Sequence, residues 1–202
     1  MLPWFWRHKG AIHFMDIRLF SSAWKPASPL LAALALLLLP CLLLFPSLST
    51  AQTASLEYAI PFSETSPQID GDMAPGEWGS ASTIALTNET FPTQNVPALL
   101  DTMVYLMEDG DYFYAAFVAQ DPEPDKIRAF YRDRDSASQD DMVGVVLDTF
   151  NDERRAFKFF STPLGVQMDT ILDDVNGNED ASWNAIWDSM GSITETGFIV
   201  EM

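Results

Sequence analysis

The sequence predicts an all-β protein, an antiparallel two-sheet β-sandwich of jelly-roll-like outline that occupies residues 66–202 of the 202-residue chain. Three observations carry that expectation. Short runs of β-branched, aromatic and other apolar residues recur between turns rich in Gly, Pro, Asp and Asn. No amphipathic helical period of useful length follows residue 51. The connecting segments, most of all residues 133–188, are loaded with carboxylates, as solvent-facing loops between strands would be.

Residues 1–51 read as a leader. An apolar core over residues 30–45 is preceded by Arg7, Lys9, Arg18 and Lys25 and followed by Ser49, Thr50 and Ala51, a small-residue cleavage pattern. The expected mature chain begins at Gln52 and is exported to the periplasm, the outer membrane or the medium. The basic stretch is long, and a start at Met15 would leave Arg18 and Lys25 as an ordinary charged beginning. An uncleaved anchor is the alternative, but Pro40 and Pro46 interrupt the core, which falls short of the ~20 residues that span a bilayer. Residues 52–65 then form a polar linker.

The domain opens at Ile69-Asp70-Gly71, a turn signal followed by Trp78, whose ring is expected to pin the turn to the core. Residues 102–107 and 112–119 form a hairpin around Glu108-Asp109-Gly110-Asp111. Pro122 and Pro124 stop its second strand, since proline has no N–H for a ladder. Further strands are expected at residues 127–132, 142–147, 156–161, 166–172, 185–192 and 198–202. The chain stops in the middle of the last, so the sandwich reads as incomplete, the front of a longer protein.

Composition narrows the chemistry. Both histidines and the one cysteine, Cys41, lie in the leader, which excludes His- or Cys-based zinc sites, Ser-His and Cys-His nucleophiles and disulfides from the mature chain. Removing the leader takes four of 11 Lys+Arg and one of 29 Asp+Glu, leaving 7 against 28 and a net charge near −21. A polyanion of this size repels nucleic acid and anionic membranes and favours cations or neutral ligands.

Two constellations remain. Asp173, Asp174, Asn176, Asn178 and Asp180 offer many oxygens in a short loop, as calcium requires, although the spacing lacks the sixth-position Gly and twelfth-position Glu of an EF-hand. A solvated turn is the other reading of this loop. Trp183 and Trp187 face one side of an extended strand, roughly 13 Å apart at ~3.3 Å per residue. Indole stacks on the C–H faces of sugar rings, with Arg132 and Arg134 as guanidinium donors to hydroxyls; core packing and ion pairing are the competing readings. No pair of carboxylates is marked out as a glycosidase acid and base.

The string IDGDMAPGEW, the pair Asp140-Asp141, the run VVLDTF at residues 145–150, and Arg155, Phe157 and Phe159 together resemble the family 9 carbohydrate-binding-module-like domain. The resemblance covers about residues 66–202 and implies a non-catalytic module that binds a poly- or oligosaccharide, with structural calcium, often beside glycoside hydrolases such as xylanases. It also implies a covalently linked C-terminal partner, either a catalytic domain or an outer-membrane barrel. In the barrel case this would be a periplasmic or surface structural domain without sugar binding. A haem-binding relative of the same sandwich is a third reading, for which only Met and Lys would be left as axial ligands.

Overall fold

The computed structural model describes residues 16–17, 58–89 and 95–202; the apolar core and the cleavage position of the expected leader lie outside the described residues. Among the described residues ten strands run in chain order as β1 (Asp16–Ile17), β2 (Ser82–Glu89), β3 (Val96–Glu108), β4 (Phe113–Gln120), β5 (Val143–Leu147), β6 (Arg155–Ser161), β7 (Gln167–Asp173), β8 (Asn178–Asp180), β9 (Met190–Thr194) and β10 (Gly197–Glu201). They make two sheets, ordered β2-β3-β4-β10-β9 and β1-β5-β6-β7-β8. Every strand pairing is antiparallel except the two-residue contact of β1 with β5. The expected all-β, two-sheet architecture is what the chain adopts, and a single 3-10 turn at Pro124–Lys126 is the one helical element among the described residues.

Alternation along each strand decides which face meets the core. In the first sheet Ile84, Val104, Leu106, Ala115, Phe117 and Val200 point one way, and they share a buried cluster with Val143 and Val145 of β5. Phe159 of β6 packs against the same cluster. Both sheets therefore contribute an apolar face to one core, which is the hydrophobic reason for the two-layer arrangement.

The opposite face of the first sheet is covered by the opening segment. Trp78 is buried there with Met107, Tyr114 and Ala116, and Ile69 and Met73 pack around them. One buried carboxylate fixes that cover. Glu201, fully buried on β10, accepts from the Trp78 indole N–H at 2.8 Å, from Gly71 N at 2.8 Å and from Asp70 N at 3.2 Å. Glu77 accepts from Gln68 N and Ala74 N and closes the turn locally. The Ile-Asp-Gly and Glu-Trp elements of the opening string thus serve one structural purpose, and Trp78 is core, as expected.

The expected hairpin is β3–β4. Gly110 takes φ of 93°, a conformation open to glycine without a Cβ penalty. Asp109 organises the loop, accepting from Asp111 N, Tyr112 N, the Ser66 hydroxyl and the Tyr114 hydroxyl. Those donors, led by Ser66 and Tyr114, hold its carboxyl well below the usual carboxylate range. From residue 58 onward the approach expected as linker is tied to the end of β3: Ser63 N donates to Glu108 O and Glu108 N to Pro61 O.

Several elements differ from expectation: β1 lies within the segment expected as a leader, and β3 begins at Val96 rather than at residue 102. β2 and β8 form where no strand was expected, and β9 begins at Met190 rather than at residue 185. Residues 127–132 form no strand, because side chains capture the backbone groups a ladder would need. Arg128 N donates to Asp141 Oδ2 at 2.9 Å and Phe130 N to Asp140 Oδ2 at 3.0 Å. The acidic pair thus takes the place of a neighbouring strand.

Candidate functional site

The aromatic patch is built on β6 and β7. Phe157 and Phe159 stand on the core-facing side of β6, and their register partners Ile171 and Asp169 on β7 share that side. Residues 183–189 cross this face as an extended strap. Its exposure alternates: Trp183, Ala185, Trp187 and Ser189 are half-buried, while Asn184, Ile186 and Asp188 are exposed. Trp183 packs on Phe157 with ring centroids 4.9 Å apart, and Trp183 and Trp187 both meet Phe159, at 5.9 and 5.5 Å. The two indoles do lie on one side of an extended segment, as their spacing predicts, and that side faces the sheet.

Asp169 explains why the strap is not a strand. Its side chain is fully buried, and Oδ2 accepts from Ala185 N at 2.6 Å. Gln167 Nε2 donates to the Trp187 carbonyl at 2.7 Å. Arg134 spans the same group, with Nε donating to Asp169 Oδ1 at 3.0 Å, Nη1 to Gln167 Oε1 at 2.9 Å and Nη2 both to Asp169 Oδ1 and to the Ala185 carbonyl. A buried carboxylate without this fork would be an uncompensated charge, typically a loss of about 3–5 kcal/mol. Within this patch one polar atom stays unsatisfied: the Trp187 indole N–H is buried and has no acceptor among the described residues.

Arg134, Trp183 and Trp187 are thus brought together, whereas Arg132 is held elsewhere. Its Nε donates to Asp140 Oδ2 at 3.1 Å, and its guanidinium lies over the Phe130 ring at 5.3 Å. Asp140 is itself fully buried and also faces Arg128 at 3.6 Å. Burial pushes the neighbouring Asp141 carboxyl up from its ordinary value. Phe157, Phe159, Gln167 and Asp169 complete the patch; the two phenylalanines stood out in the sequence only as part of the family resemblance, and Gln167 and Asp169 were not singled out. The signal for Asp169 was present: a lone acid at an inward position of the run VQMDTIL needs a buried cation nearby.

The acidic loop is a hairpin between β7 and β8, with Asn178 paired to Asp173 and Asp180 to Ile171. Its carboxylates cap turns. Asp173 accepts from Val175 N, Asn176 N and the Asn176 side-chain amide, which together hold it below its usual value, with Asn176 the largest cause. Asp180 is lowered by the hydroxyl and N–H of Ser182. Asp174 N donates back to Arg154 O. Among the described residues no three Asp, Glu, His or Cys side chains are grouped so as to hold a metal ion. The donor chemistry of this loop suits calcium, but its two most tightly held carboxylates already have partners.

Comparison of the chain with protein-family models, with curated proteins and with solved structures finds no match.

Proposed function

We propose that this domain is an exported, non-catalytic carbohydrate-binding module that takes a poly- or oligosaccharide at the strap, in a protein concerned with polysaccharide breakdown. The observation that supports this most is the half-exposed pair Trp183 and Trp187 beside Arg134 and Gln167, with the Trp187 N–H lacking an acceptor. Aromatic rims offer apolar area to sugar C–H faces, and a sugar hydroxyl drawn in beside Trp187 would supply the missing acceptor. Arg134 acts as a positioning residue, because its fork is already committed to Asp169, Gln167 and Ala185.

Trp183→Ala and Trp187→Ala, each titrated against xylan and cello-oligosaccharides alongside a thermal melt, test the reading. Loss of one contacting ring should weaken binding by about 0.5–1.5 kcal/mol, roughly two- to tenfold, with the fold intact. A stable variant that binds as the parent does removes that tryptophan from the site. A variant that loses about 3–5 kcal/mol of stability assigns it to the core instead.

A further inference from the structure

The proposed site leaves unexplained a cleft at the far tips of the β5–β6 and β7–β8 turns. Its volume is about 410 Å³, within the range of about 300–1,000 Å³ that accommodates small ligands. It is lined by Phe150, Asp152, Arg154, Arg155, Asp173 and Asn176, with Val175 at its side. Phe150 and Val175 are 69% and 60% exposed, so two apolar side chains stand open to water at one mouth.

The arginines are the unusual feature. After residue 51 the chain carries seven cationic side chains among 28 acids, so pairing is the electrostatic default. Five obey it: Lys126 with Glu123, Arg128 and Arg132 with Asp140, Arg134 with Asp169, and Lys158 with Glu179. The guanidiniums of Arg154 and Arg155 make neither a hydrogen bond nor a close ion pair among the described residues; the Arg155 charge acts on the Asp173 carboxyl only as the smallest of the causes that lower it. This holds although Arg155 and Asp173 are cross-strand register partners. The reason is local. Asp173 is turned onto Val175 and Asn176, and Asp152 Oδ1 accepts from Arg154 N, so both nearby carboxylates point their lone pairs at turn N–H groups. The two guanidiniums that make no hydrogen bond or close ion pair among the described residues therefore line one cleft, beside an exposed aromatic ring.

We propose that this cleft is a second binding site, and that its ligand is a sugar acid, a hexuronate unit of an oligosaccharide. It rests on the carbohydrate reading for its ligand class alone and uses none of the residues of the strap. An arginine fork matches a carboxylate in bidentate geometry. Phe150 offers a face to the C–H side of a pyranose ring. Asp152 Oδ2 and Asn176 Oδ1 accept from no donor among the described residues and can take sugar hydroxyls, while the carboxylates of Asp152 and Asp173 disfavour a more highly charged anion such as hydrogen phosphate. A singly charged ring rich in hydroxyls is the chemistry that meets both arginines and acids.

The test titrates the intact chain by calorimetry with tri-galacturonate, with its methyl ester and with inorganic phosphate. The free acid should bind, the ester should bind at least tenfold more weakly, and phosphate should not displace the acid. An Arg154→Gln, Arg155→Gln double variant, changed only at exposed side chains, should lose at least tenfold, and Phe150→Ala a smaller factor. Trp183→Ala should leave uronate binding unchanged. Equal binding of acid and ester, parent-like binding by the double variant, displacement by phosphate, or no binding of the acid at all would each overturn the proposal. Failure of xylan binding at the strap, with uronate binding intact, would overturn the tryptophan reading alone.

Discussion

Glu201 gives the sharpest test of how this fold is held together. Its two carboxylate oxygens serve three donors from a segment about 130 residues earlier, and the side chain is fully buried. Asp70 N has a second acceptor in Gln68 O, so truncation to Ala orphans two donors, the Trp78 indole N–H and Gly71 N. At about 1–3 kcal/mol for each buried group left unpaired, Glu201→Ala should cost about 2–6 kcal/mol. Glu201→Gln retains one acceptor oxygen but turns an NH₂ toward either Trp78 or Gly71, and should cost about 1–3 kcal/mol at neutral pH. Trp78→Phe removes the opposing indole donor, so adding Trp78→Phe to Glu201→Gln should cost less than the two changes separately.

Burial pushes the Glu201 carboxyl up from its ordinary 4.5, against the pull of its three donors. Stability from a raised carboxyl is complete below pH 4.5 and is lost as the pH rises through the raised native value. The gap between parent and Glu201→Gln should therefore narrow over that window and stay constant above it. Urea unfolding followed by circular dichroism, across pH, measures all of this. Additivity of the two substitutions within about 0.5 kcal/mol, or a Gln variant as stable as the parent at every pH, would refute the reasoning.

Three further outcomes are expected. Gly144→Ala would drive a Cβ into the Phe159 carbonyl oxygen and the Phe160 ring, and should lower stability by about 1–3 kcal/mol in the same urea assay; a neutral effect would mean the sheet can move there. If calcium binds the folded domain through the acidic hairpin, thermal midpoints in calcium and in chelator at matched ionic strength should separate, and identical midpoints would leave those carboxylates as turn caps. Intact-mass measurement of the exported protein should give a chain beginning at Gln52, and retention of residues 30–45 would show an anchor.

The sequence by itself determined the class of fold, because period-two alternation of apolar residues is a local property that survives without knowing what a strand pairs with. It placed Trp78 in the core and the β3–β4 turn at Asp109 and Gly110, since turn chemistry is also local. It put Trp183 and Trp187 on one side of an extended segment. Only the tertiary structure decided which backbone groups the buried acids would serve. Asp140, Asp141, Asp169 and Glu201 each take N–H groups from segments 10 to 131 residues away, and three of them bind stretches that the sequence reads as strands. A carboxylate in a sequence carries no sign of its partner. Whether it faces water, a guanidinium or an amide is fixed when the sheets stack and exclude solvent.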